Sequence, residues 1–64
     1  MNELMIVLAG GSWMYFKTRA TSVDTAFTDF CETCDNIQLN IDNLEIIRMV
    51  LRDTDENDIE EKFY

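Results

Sequence analysis

Leu4-Met5-Ile6-Val7-Leu8-Ala9-Gly10-Gly11-Ser12-Trp13-Met14-Tyr15-Phe16-Lys17-Thr18-Arg19 sets an apolar run and an aromatic run on either side of a glycine pair. Two runs of strand-forming residues joined by Gly-Gly read as a β-hairpin, because glycine supplies the positive φ angles of a tight primed turn. A two-residue turn at Gly10-Gly11 pairs Ala9 with Ser12. It then sets Leu8, Ile6 and Leu4 opposite Trp13, Tyr15 and Lys17 on one side. On the other, Val7 meets Met14 and Met5 meets Phe16. Both faces of such a hairpin are apolar, and a small chain covers only one of them. We expect Met5, Val7, Met14 and Phe16 to face the core. Ile6, Leu8, Trp13 and Tyr15, with Lys17 and Arg19 at their far end, resemble a dimer or partner interface with a polar rim.

Working outward, Thr21-Ser22-Val23-Asp24 begins a helix, with Thr21 as cap and Asp24 as the acid that favours the positive helix N-terminus. Val23, Ala26, Phe27, Phe30, Cys34 and Ile37 recur at spacings of three and four and form one apolar stripe. Asp24, Thr25, Thr28, Asp29, Glu32 and Asp35 fall on the opposite side, and Asn36 can end the helix. Ile37-Gln38-Leu39-Asn40-Ile41 alternates like a short strand, and Asp42-Asn43 reads as a turn. Leu44 to Arg52 fits either a helical stripe or a strand. Its β-branched residues and the polar cluster after it favour strand. The expected architecture is α+β: a small antiparallel sheet with one helix on one face, ordered ββαβ with an extra short strand possible. A single domain over 1–64 divides into a hairpin at 3–20, a helix at 22–36, strands within 37–52 and an acidic C-terminal segment at 53–64.

The chain has 64 residues, with 13 acids, five bases, no histidine, no proline and a net charge of −8. A domain this small buries a low fraction of its surface and gains from a partner or a second copy. Its acidity argues against direct contact with nucleic acid or an anionic membrane, and no run approaches the length of a membrane span. With 47% hydrophobic residues the chain is too apolar for a disordered acidic tail. One Cys-x-x-Cys pair is no secretory disulfide framework, so a reducing, cytoplasmic compartment is expected.

Three features bear on chemistry. Cys31-Glu32-Thr33-Cys34 offers two thiols where a tetrahedral zinc site needs four ligands, so we read Cys34 as small core and Cys31 as its flank. Asp53-Thr54-Asp55-Glu56-Asn57-Asp58 has acids at alternate positions like a calcium loop. It lacks the sharp-turn glycine, and Tyr64 stands where the bidentate acid belongs, so a solvated acidic turn is the better reading. No histidine, nucleophile constellation or phosphate-binding loop is present, which argues against an enzyme, and neither metal nor cofactor is expected.

The third feature is the distribution of charge. Residues 1–22 carry Glu3, Lys17 and Arg19, a net of +1, whereas residues 23–64 carry twelve acids against Arg48, Arg52 and Lys62, a net of −9. A row of carboxylates can imitate the phosphates of a duplex and enter the basic groove of a nucleic-acid-binding protein. The candidates are Asp29, Glu32, Asp35, Asp53, Asp55, Glu56, Asp58, Glu60 and Glu61. The competing reading is that the acids keep a small apolar domain soluble.

In element order over roughly residues 3–53, and in size and acidity, the chain resembles the short bacteriophage inhibitors of uracil-DNA glycosylase. Anti-CRISPR and anti-restriction proteins share these gross features. The resemblance implies a DNA-mimic inhibitor in the host cytoplasm that forms a homodimer and binds a basic, nucleic-acid-binding host protein stoichiometrically. A plain interaction module, antitoxin-like or structural, using the exposed apolar sheet face is the alternative.

Overall fold

Every pairing in the sheet is antiparallel, and across the sheet the strands lie in the order Trp13–Thr18, Asn2–Leu8, Ile46–Arg52, Asp58–Phe63. The computed structural model describes residues 1–36 and 45–64. In chain order the elements are β1 (Asn2–Leu8), β2 (Trp13–Thr18), α1 (Val23–Asn36), β3 (Ile46–Arg52) and β4 (Asp58–Phe63). One helix on a four-stranded antiparallel sheet is an α+β fold, but its order is ββαββ rather than ββαβ. The extra strand expected at Ile37–Ile41 lies outside the described residues, as does Ile37 of the helical stripe.

The hairpin turn decides which side chains meet. Leu8 N–H donates to the Ser12 carbonyl at 2.7 Å, and Gly11 N–H donates to the Leu8 carbonyl at 3.3 Å. Three residues therefore separate the strands instead of two. Gly10 and Gly11 have φ of +91° and +92°. A β-carbon at either would meet nothing within 4 Å, so glycine is needed for its backbone conformation and not for space. The odd loop slides the register by one residue: Leu4 opposes Phe16, Ile6 opposes Met14, Met5 opposes Tyr15 and Val7 opposes Trp13.

Side chains alternate between faces with period two, so a one-residue slip exchanges the faces of one strand relative to the other. Ile6 and Leu8 thus join Met14 and Phe16 against the helix. The expected grouping of Ile6 and Leu8 with Trp13 and Tyr15 is corrected, as is that of Met5 and Val7 with the core.

The core is built from Leu4, Ile6, Val23, Ala26, Phe30, Cys34, Met49 and Leu51, all buried, with Leu8, Met14, Phe16, Phe27 and Ile46 packed around them. Phe16 meets Phe30 edge-on at 5.6 Å between centroids, and Phe27 stacks on Phe30 at 6.1 Å. Each large aliphatic side chain buried this way stabilises the fold by roughly 1.5–3 kcal/mol relative to its exposure. Leu44 to Arg52 resolves as strand from Ile46 onward, because Leu4 opposes Leu51 and Ile6 opposes Met49 in the middle of the sheet.

The chain passes from β2 to α1 through a polar latch. The buried Thr18 hydroxyl accepts Ala20 N–H at 3.0 Å and donates to Asp29 at 3.3 Å, while the Asn2 side-chain amide donates to the Ala20 carbonyl at 2.8 Å. The helix cap falls on Ser22, one residue later than Thr21. Ser22 Oγ accepts Thr25 N–H at 3.3 Å, and the Ser22 carbonyl accepts Ala26 N–H at 3.0 Å.

The acidic tail is not only a solvated turn, since its second half forms β4. Three residues, Thr54 to Glu56, close the β3–β4 hairpin, with Asp53 N–H donating to the Asn57 carbonyl at 3.0 Å. Strand β4 lies at the sheet edge, where charged residues are tolerated because one side of the strand stays in water.

Candidate functional site

The helix covers one face of the sheet, and the described residues leave the other uncovered. Registers across the four strands arrange that uncovered face in three rows. The first is Lys17, Glu3, Arg52 and Asp58; the second is Tyr15, Met5, Val50 and Glu61; the third is Trp13, Val7, Arg48 and Phe63. A bulge between Leu51 and Arg52 brings Asp58 opposite Arg52. The result is an apolar patch of Trp13, Tyr15, Met5, Val7 and Val50 reaching from β2 to β3, with the Arg48–Glu61 pair between it and Phe63 on β4.

Trp13, Tyr15 and Phe63 are 60%, 54% and 72% exposed, high values for large aromatics on a regular sheet. Val50 on the same side is fully buried, walled in by its neighbours in the sheet. The charged groups neutralise one another. Lys17 pairs with Glu3 at 2.8 Å, Arg52 with Asp58 at 3.0 Å and Arg48 with Glu61 at 2.6 Å, and the Arg48 guanidinium also lies over the Phe63 ring at 5.7 Å. Exposed pairs of this kind contribute little to stability, but they hold the long side chains in place around the aromatics.

No protein-family model, curated protein or solved structure matches this chain. Its surface must be read from its own residues.

Among the described residues, three acids and three bases stand on the uncovered face. Those six charges cancel in pairs, so the described part of this face adds nothing to the chain's net charge of −8.

The nine candidate acids do not form one row. Asp29, Glu32 and Asp35 belong to α1, and half-buried Asp29 is engaged by the Thr18 hydroxyl. Asp53, Asp55 and Glu56 belong to the β3–β4 turn. Asp53 Oδ1 accepts the N–H groups of Asp55 at 2.9 Å and Asn57 at 3.0 Å, so its carboxylate shapes the turn. Asp58 and Glu61 stand on the uncovered face in ion pairs with Arg52 and Arg48. Glu60 points to the helix side, where its Oε1 accepts Val23 N–H at 2.8 Å.

Sequence reasoning missed this last contact. A helix N-terminus has unsatisfied N–H groups and a positive end, and Glu60 supplies an acceptor from 37 residues away. Beside it Lys62 donates to Asp24 at 2.6 Å, and that hydrogen bond, above all other influences, holds the Lys62 ammonium above its ordinary pKa of 10.5. Only the alternation Glu60, Lys62 on the inner side of an edge strand hinted at these roles.

Cys34 is buried in the core and Cys31 is half-buried. Among the described residues no three metal-ligating side chains converge, and no helix is long and apolar enough to cross a membrane.

Proposed function

We propose that this chain is a non-catalytic binding protein whose uncovered sheet face is its contact surface for another protein. One observation carries this reading: Trp13, Tyr15 and Phe63 stand exposed on a face whose charges are already mutually paired. A neutral face with aromatic anchors and an ion-paired border has the composition of a protein–protein interface. The surplus acids elsewhere keep such a chain soluble and suppress contact through its other surfaces.

A second reading is favoured by the separation of charge. With the described charges of the sheet face cancelled in pairs, and with Glu32, Asp55 and Glu56 exposed and in no ion pair among the described residues, acids of this −8 chain can occupy a basic groove that otherwise holds nucleic acid. That is the DNA-mimic inhibitor of a nucleic-acid-binding host protein, of the glycosylase-inhibitor, anti-CRISPR or anti-restriction type.

One experiment separates the two. Proteins retained from a bacterial lysate by the wild-type chain are compared with those retained by Trp13→Ala plus Phe63→Ala, and by Glu32→Lys plus Asp55→Lys plus Glu56→Lys, at low and high salt. The sheet-face reading expects a partner lost in the aromatic variant, kept in the charge variant and held at high salt. A partner released by salt, by added DNA and by charge reversal, but kept by the aromatic variant, overturns it in favour of mimicry.

A further inference from the structure

The two edges of the sheet are unlike. Strand β4 has Asp58, Glu60, Glu61 and Lys62 among its six residues and a bulge in its pairing with β3, features that blunt an edge against further pairing. Strand β2, Trp-Met-Tyr-Phe-Lys-Thr, has one charged residue, no proline and an unbroken register with β1. No described strand lies beyond it.

The hairpin geometry fixes which backbone groups of β2 face outward. In an antiparallel pair, hydrogen-bonded and non-bonded positions alternate. The bond from Leu8 to Ser12 makes that pair a bonded one, so Met14, Phe16 and Thr18 turn their backbone groups toward β1. Trp13, Tyr15 and Lys17 therefore aim N–H and C=O away from the sheet.

We propose that β2 pairs antiparallel with β2 of a second copy, Tyr15 lying at the two-fold axis, to give one continuous eight-stranded sheet. Three arguments select this occupant and this register. The first is charge. Between Leu4 and Val23 there is no acid, so β2 and its flanking turns bring no carboxylate of their own to a contact between two −8 chains.

The second is the ladder. With Tyr15 opposite Tyr15 of the partner subunit, Trp13 falls opposite the partner's Lys17 and Lys17 opposite the partner's Trp13, so every outward N–H and C=O of these residues finds a partner. Sliding one strand by two residues sets Lys17 or Trp13 against the turn or the strand end instead.

The third is the side chains. The same register sets each Lys17 ammonium, already held by Glu3 at 2.8 Å, beside the other copy's indole, a favourable cation–aromatic arrangement, and keeps like charges apart. Met14 meets the partner's Phe16 on the helix side, continuing both cores. The two uncovered faces become one. This pairing uses the strand edge and not the face, so it does not depend on what the face binds.

The test is amide hydrogen exchange of the full chain by NMR across low to high micromolar concentration, together with sedimentation. Amides of Trp13, Tyr15 and Lys17 should slow by at least about tenfold as the dimer forms, while those of Met14 and Phe16 are protected at every concentration. Tyr15→Pro, which removes an outward N–H and leaves the bonds to β1, should sediment as monomer with an unchanged far-UV spectrum. A wild-type monomer throughout the range overturns the proposal. So does a dimer whose Trp13, Tyr15 and Lys17 amides stay in fast exchange, since that dimer would join through the face. Should Tyr15→Pro unfold, the wild-type exchange pattern decides alone. Phe63→Ala, far from β2, should leave dimerisation unchanged while weakening a partner bound on the face.

Discussion

Replacing Glu60 by Ala removes the only described contact in which a side chain of the sheet caps the helix. Its Oε1 accepts Val23 N–H at 2.8 Å in a half-buried setting, across 37 residues of sequence. Loss of a helix cap costs about 1 kcal/mol, and loss of a negative charge at the helix N-terminus about 0.3–1 kcal/mol more. Ser22 still serves Thr25 N–H, so the helix keeps its local cap. The Val23 amide is partly reachable by water, which limits the penalty of leaving it unpaired. The sum is about 1–2 kcal/mol, which lowers the melting temperature of a domain of this size by about 5–15 °C.

Glu60→Gln keeps an acceptor oxygen and removes only the charge, so it should cost less than half as much. Thermal melts followed by circular dichroism at one fixed low concentration measure both, because self-association would otherwise raise the apparent stability. Glu60→Ala melting within about 2 °C of wild type would refute the reasoning. So would equal losses in the Ala and Gln variants, since the hydrogen bond would then contribute nothing.

Glu56 sits at φ +65°, where an L side chain is strained, so Glu56→Gly should raise the urea midpoint by an amount equivalent to about 0.5–1 kcal/mol; an unchanged or lower midpoint counts against the strain. The hairpin register is tested by neighbouring truncations. Ile6→Ala empties a fully buried site and should cost about 2–5 kcal/mol, whereas Val7→Ala on the uncovered face should cost about 1 kcal/mol or less in urea unfolding, and the reverse order would restore the two-residue turn. The Lys62–Asp24 hydrogen bond gives a pH signature. A lysine whose folded pKa is raised contributes stability that is fully present below its ordinary value of 10.5 and lost as pH rises through the folded value. The wild-type melting temperature should therefore fall more steeply above that pH than that of Lys62→Gln, and parallel profiles would show that the bond is absent in solution.

Much of the architecture is written locally. Gly10-Gly11 announces a hairpin because only glycine accepts two successive positive φ angles without strain. The stripe Val23, Ala26, Phe27, Phe30, Cys34 announces a helix and its buried side, because spacings of three and four return to one face every turn. Strand at Ile46–Arg52 is less plain, since a short apolar run reads equally as buried helix or buried strand until its neighbours in the sheet are known. β4 is hidden because Asp58-Ile59-Glu60-Glu61-Lys62-Phe63 has no alternation of apolar residues; its place is set by the backbone ladder with β3 and by the contact of Glu60 with the Val23 amide.

The candidate site was half legible for a related reason. Trp13 and Tyr15 lie on the uncovered face, but their companions there are Met5 and Val7 and not the expected Ile6 and Leu8. Faces along one strand follow from alternation alone, whereas the faces of two strands are matched by the parity of the loop between them. Gly-Gly is compatible with a loop of two residues or of three.

The sequence by itself determined the hairpin, the helix with its hydrophobic stripe and the acidity, because propensity, periodicity and charge are properties of residues a few positions apart. Only the tertiary structure decided which half of the hairpin's apolar residues the helix takes, that Glu60 caps a distant helix, and that three acids and three bases among the described residues cancel on one face. Those outcomes depend on register and on contacts between segments far apart in the chain, where one residue more in a turn reverses which face meets the helix and which meets water.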